Sequence, residues 1–201
     1  MSGVRFYPFF DGAFPSTISS EVFVRQQLPK QIPVAIYATD SRYIFSNGAF
    51  VPGKYSTVTL GYKVIEKNYR VVYNHFKDLS IINLKKKISK VYLRMVGTYS
   101  ESVLPTQVFV HRCDIDWKDI TIWNQQPLYN PEPYSSVIIK NPVEVSFFWD
   151  VTNIVVDWVT GVFPNYGILL KTNDSWDVPT CKDFYSADAF KRPCLLVYYN
   201  E

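Results

Sequence analysis

Histidine is scarce in this 201-residue chain, which holds only His75 and His111. No serine or cysteine motif sets a nucleophile beside either of them, so the sequence gives no support to a Ser-His-Asp or Cys-His-Asp hydrolase. Cysteine is nearly as sparse. Cys113, Cys181 and Cys194 are too few and too scattered for a disulfide scaffold, and their spacing fits no zinc motif. Two readings of them stand: three buried thiols, or, in an externally exposed protein, an odd thiol that joins a neighbour. Charge of one sign is also lacking. Lys plus Arg at 21 against Asp plus Glu at 18 leaves 21 − 18 = +3, too small an excess to argue for nucleic acid or an anionic membrane surface. The one basic cluster, Lys85, Lys86, Lys87 and Lys90, reads as lysines keeping a loop or edge strand in solution. No apolar run approaches the roughly 20 residues needed to cross a bilayer. There is no phosphate loop, and no cofactor is implied. The stretch Met1-Ser2-Gly3-Val4-Arg5-Phe6 lacks the charged region and apolar stretch of a secretory leader.

What the chain has is aromatic side chains, with Tyr 15, Phe 14 and Trp 5, a load suited to half-buried pleated sheets. Residues 5–10, 21–26, 34–38, 42–45 and 55–61 alternate as strands do, and 70–73, 90–96, 107–112 and 135–139 continue the pattern. Asp11-Gly12, Leu28-Pro29, Ile32-Pro33, Asn47-Gly48 and Pro52-Gly53 separate the first of these as turns, Asn47-Gly48 as a hairpin. Within 107–112, Val108 and Val110 share one face while Phe109 and His111 share the other. One segment is helical by spacing: Thr152 stands as N-cap, Ile154, Val155, Trp158 and Val159 recur at three and four residues, and Gly161 follows as a left-handed terminator. Residues 167–171 and 194–199 close the chain as strands. With no repeat and no low-complexity linker, the expectation is a single domain over 1–201. Its fold class is all-β: a jelly-roll-like antiparallel β-sandwich with one short capping helix at about 152–160.

An ordered set of short motifs resembles the DNRLRE domain family, β-sandwich domains common in bacterial surface and secreted proteins. The matching residues are Leu60-Gly61, Tyr69-Arg70, Phe76-Lys77-Asp78-Leu79-Ser80, Trp117, and Thr121 with Trp123-Asn124 and Pro127. They continue with Asp150-Val151-Thr152 through Trp158 and Gly161, Asn165-Tyr166-Gly167, Phe184-Tyr185-Ser186 and Arg192-Pro193. One inserted residue departs from the pattern in the Phe-Asp-Leu-Ser stretch and another between Thr121 and Trp123. Residues 19–54 fit less well and read as a strand-rich insertion offering an edge for β-augmentation.

The function this reading favours is non-catalytic: a structural subunit that self-assembles with copies of itself, as a homo-polymer, into an external bacterial layer, fibre or spore-surface appendage. Cys113, Cys181 or Cys194 would supply a cross-link, and a surrounding mother cell that lyses would release a protein without a leader. The alternative is a carbohydrate-binding module with polysaccharide as partner, since domains of the resembled kind often accompany secreted polysaccharide-acting enzymes. In that case Trp117, Trp123 and Tyr129 are the sugar contacts, with Asn124 and Gln125 beside them. The competing role for the same residues is core packing and turn bonding. Asp114 and Asp116, at alternate positions, suit either Ca²⁺ or a solvated strand end. Arg70 and Arg192 read as guanidiniums that satisfy loop carbonyls or a carboxylate such as Asp150. Neither nucleic acid nor membrane insertion is expected.

Overall fold

The alternation read from the sequence closes into two packed antiparallel sheets. A computed structural model describes residues 28–47, 56–100, 102–117, 123–173 and 178–200. The smaller sheet has the order β1 (Val34–Tyr37), β11 (Cys194–Tyr199), β5 (Ile88–Val96), β8 (Ser146–Asp150). The larger runs β10 (Lys182–Tyr185), β3 (Thr57–Lys63), β4 (Asn68–His75), β9 (Ile168–Thr172), β6 (Thr106–Arg112), β7 (Ser135–Ile139), with β2 (Asp40–Phe45) paired to the other edge of β4. The architecture is the expected all-β sandwich with one short helix.

Alternate residues of both sheets meet in the main core. Ile36, Leu195, Leu93 and Trp149 lie in one row of the smaller sheet. They pack with Val58, Leu60, Val72, Val108, Val110, Leu170 and Phe184 of the larger. The single α-helix among the described residues, α1 (Thr152–Val159), turns Ile154, Val155 and Trp158 into this core. It ends at Thr160, followed by Gly161 at φ 75°, where a side chain would cost about 1–2 kcal/mol in left-handed strain. The expected N-cap is corrected by one residue. Val151 holds the cap position without a side-chain bond, while the Thr152 hydroxyl donates to Asp150 Oδ1 at 2.6 Å and accepts the Val91 N–H at 3.0 Å. The threonine thus fastens the helix to β5 instead of capping it.

Strand β4 is buried along all eight residues, because both faces are covered. Val72 faces the main core, and Tyr69, Val71 and Tyr73 face a second cluster with Ile44, Leu169, Cys113 and Trp117 on the outer side of the larger sheet. The connection from β6 to β7 folds over that side and brings Trp117 with it. The strands expected at 5–10 and 21–26, the turns at Asp11-Gly12 and Pro52-Gly53, Gly48 of the Asn47-Gly48 hairpin, and Thr121 lie outside the described residues, as does much of the 19–54 segment; its described part supplies β1 and β2. No helix among the described residues is long and apolar enough to cross a membrane.

Candidate functional site

On its outer face the smaller sheet carries one continuous row, Tyr37, Cys194, Arg94 and Phe148, one residue from each of its four strands. Neighbouring strands lie about 4.8 Å apart, so the row spans the sheet with a small buried thiol between an aromatic ring and a guanidinium. Burial pushes the Cys194 ionisation upward against the opposing pull of Arg94. Residues 187–192 stand beside the row as a wall, and Tyr37, Arg94, Asp188, Phe190, Lys191 and Arg192 surround an open hollow of about 670 Å³, within the volume range of ligand sites.

The wall is fixed from below. Ser41 Oγ donates to Asn74 Oδ1 at 2.6 Å and accepts the Ala187 N–H at 3.0 Å. Asn74 in turn directs its Nδ2 at Met95 Sδ of the opposite sheet, 3.6 Å away. At the other end of the wall the Pro193 carbonyl accepts the Ala38 N–H at 2.8 Å. This contact, just past Arg192, holds the guanidinium 4.9 Å from the centre of the Tyr37 ring. Tyr37 nevertheless remains 46% exposed, and Phe190 at the tip of the wall is 99% exposed. Lys191 pairs with Glu144, which also accepts from the Tyr185 hydroxyl at 2.7 Å. The Lys191 contact, and then the Tyr185 hydroxyl, hold the Glu144 carboxyl below its ordinary range. Arg94 Nε is itself buried, so what the residue can present to the hollow is the outer part of its half-buried side chain. The hollow therefore offers ring faces for stacking and guanidinium N–H donors for oxygen.

The residues expected to touch sugar lie elsewhere, over the outer side of the larger sheet. Trp117 is 1% exposed and sits 5.5 Å from Tyr73 and 6.2 Å from His75, centre to centre, with the Arg42 guanidinium 5.4 Å from its ring. It offers no ring face to solvent; its role is packing. Trp123 is half-buried, edge-on to Tyr69 at 5.9 Å, beside exposed Asn124. Tyr129 is half-buried against His111 at 5.1 Å and accepts a hydrogen bond from Lys171 Nζ at 3.2 Å. Trp123 and Tyr129 share the rim of one cluster with Trp117 beneath them, but none of the three borders the hollow.

The remaining motif residues organise turns and core. Leu60 and Phe76 are fully buried, and Gly61 ends the core-facing part of β3 at φ 98°. The Tyr69 hydroxyl donates to the Thr172 carbonyl at 2.5 Å and accepts its N–H at 3.0 Å. Asp78 accepts from the Ser80 hydroxyl at 2.6 Å. Asn165 donates from Nδ2 to the Phe76 carbonyl at 2.6 Å and accepts the Gly167 N–H at 3.1 Å. Gly167 has φ 92°, and a Cβ there would stand 2.5 Å from the Asn74 carbonyl oxygen. Asp150 partners neither arginine: its charge pairs with Lys90 at 2.7 Å, while Arg70 binds Glu66 and Asn68 and Arg192 lies over Tyr37. Arg112 takes Asp114 at 2.9 Å, and among the described residues no group of three or more His, Cys, Asp and Glu gathers as for a metal.

Cys113, Cys181 and Cys194 form no disulfide with one another and are at most 3% exposed, so none presents a thiol at the surface for the expected cross-link, and burial raises the Cys113 thiol far above its ordinary value. Tyr37, Arg94 and Phe190 carried no motif to single them out. Arg192-Pro193 was the one signal near the hollow, and it read as a turn.

The model of carbohydrate-binding module family 96 matches residues 53–198, well over half of the chain. A search of the curated proteins gives no match. The family match overturns the resemblance to DNRLRE domains, whose supposed motif residues from Leu60 to Pro193 all lie inside the matched span. It also overturns the reading as a self-assembling structural subunit and homo-polymer: the family is one of non-catalytic modules that bind carbohydrate, and nothing in the match concerns layers, fibres or spore appendages.

Proposed function

The chain belongs to carbohydrate-binding module family 96, and from that premise we propose that it is a non-catalytic module that holds polysaccharide outside the cell, in the hollow beside Tyr37. The observation that carries the location is the row Tyr37, Cys194, Arg94 and Phe148 on one sheet face. A pyranose ring has apolar faces of C–H groups and an edge of oxygens. An aromatic ring takes the first by stacking, and guanidinium N–H groups take the second. Tyr37 and Phe190 supply rings, while Arg94 and Arg192, the latter lying over Tyr37, supply donors. The open shape suits a chain passing through more than a small molecule enclosed on all sides. Binding then needs no reaction: the module keeps itself, and any attached catalytic partner, at a polymer surface. On the same reading the whole of 1–201 is one such module with its additional N-terminal segment.

Affinity gel electrophoresis against a panel of neutral and acidic polysaccharides tests this. Wild-type protein is retarded by at least one of them. Tyr37→Ala and Arg94→Ala each weaken that retardation about tenfold, which corresponds to ~1.4 kcal/mol, with unchanged melting temperature. Retardation by none, or equal retardation of wild type and both variants, sinks the assignment to this hollow.

A further inference from the structure

We infer that the chain carries a second polysaccharide-contact face, on the outer side of the larger sheet, and that the two faces together make it a bivalent module able to bridge two polymer chains. The inference rests on the polysaccharide-binding reading above. Its starting point is Phe109. Its neighbours in β6, Val108 and Val110, are 0% exposed and belong to the main core, so alternation turns the Phe109 ring outward. There it is half-buried and belongs to none of the three core clusters of the described residues, so part of the ring remains open to solvent.

Register sets polar groups on both sides of that ring. Lys171 of β9 and Ser136 of β7 are its direct cross-strand partners. The row Lys171, Phe109, Ser136 therefore spans two inter-strand spacings, about 10 Å, room for a disaccharide lying across the sheet. The polar ends are already tied down. Lys171 Nζ donates to the Tyr129 hydroxyl at 3.2 Å and lies 5.5 Å from that ring, and Gln107 Nε2 donates to Ser136 Oγ at 3.0 Å. Tyr129 is held from the other side by His111, whose Nδ1 lies 2.9 Å from the Asn130 carbonyl oxygen. A ring flanked by fixed ammonium, amide and hydroxyl groups has the chemistry of a sugar platform, and fixing those groups beforehand reduces the entropy lost on binding.

The placement gives the face its consequence. Tyr37 and Phe109 point away from the same core in opposite directions, each alternating with residues of that core, Ile36 and Val108. One sugar chain cannot easily wrap from one to the other around the sandwich. Two chains can be held at once, and bivalent attachment multiplies apparent affinity at a polymer surface without new contacts.

The test is clustering of beads coated with whichever polysaccharide retards the wild-type protein, with sedimentation establishing that the protein is a monomer. Monomeric wild type is expected to cluster the beads. Tyr37→Ala and Phe109→Ala each still bind but lose clustering by about tenfold or more, since avidity needs both faces, and the double variant no longer binds. Should Phe109→Ala melt early, Ser136→Arg blocks the same face without opening the sheet. Full clustering by Phe109→Ala and Ser136→Arg, or complete loss of binding by Tyr37→Ala alone, overturns the second face and leaves the first standing. Absence of any polysaccharide binding by wild type overturns both.

Discussion

Lys182 sets its Nζ 2.6 Å from the carbonyl oxygen of Ser102, with the whole side chain 0% exposed. The same nitrogen donates to Leu104 and Lys140 carbonyls at 2.8 and 3.3 Å. Three backbone oxygens thus converge on one ammonium, and two connections, β5 to β6 and β7 to β8, are tied to β10. Lys182→Met fills similar space and strips all three acceptors of their donor, so it is expected to destabilise by about 2–4 kcal/mol. Urea unfolding measures this; a loss under ~0.5 kcal/mol would show that the connections hold without the tie.

A substitution of Trp117 separates packing from recognition. Trp117→Ala opens the outer cluster beneath Trp123 and Tyr129 and is expected to cost about 3–5 kcal/mol. Binding at the hollow, on the other sheet, stays within twofold at temperatures where the variant remains folded. A variant that keeps its stability while losing polysaccharide would return Trp117 to the sugar contacts.

Acid stability depends on Asp150. Its partial burial works against the charge, but the hydrogen bonds from Lys90 and Thr152 outweigh that and hold the carboxyl below its ordinary value. The stabilisation is present above the unfolded carboxyl value, about 3.9, and is lost as pH falls through the depressed folded value. Asp150→Asn should therefore melt earlier at pH 7 and show a flatter acid limb. Because Lys90 and Asp150 are both partly exposed, the expected loss at pH 7 is only about 1 kcal/mol, shrinking with salt.

His111 acts in a different window. Burial first, opposed by the Asn130 carbonyl and aided by Lys171, lowers its proton affinity below the ordinary histidine value. The unfolded chain then takes up the proton before the native one does. Stability is full above about pH 6.5 and declines as pH falls toward the lower folded value. Melting temperatures of wild type and His111→Asn from pH 7.5 to 5 test this: the wild-type slope should be the steeper. Parallel curves would remove His111 as the source.

Most of the fold was legible because alternation survives wherever one strand face meets solvent. Residues 135–139 match β7 in both bounds by that alternation, 194–199 match β11 as a continuous apolar run buried on both faces, and Ile154, Val155 and Trp158 form the helix face read from their spacing. Strand β8 was missed: Phe147, Phe148 and Trp149 are all aromatic, so polarity does not reveal that the middle one faces outward. In β10 a buried lysine opens the strand and conceals its inward position. The hollow was less legible still. It exists only where Tyr37 of β1, Arg94 of β5 and the 187–192 segment come together, and these lie far apart along the chain. The aromatic tryptophans drew the sugar reading toward themselves because sequence gives ring chemistry without exposure. Trp117 is covered by the connection from which it comes.

The sealed thiols have a consequence for where such a module works. A protein whose three cysteines all lie at most 3% exposed offers, in its native form, no thiol for an oxidant to join and no disulfide for a reductant to release. Its native form then has no disulfide for the surroundings to make or break. Oxidising and reducing preparations should give superimposable melting curves, so the module's output is governed by the polymer in front of it and not by the electron balance around it.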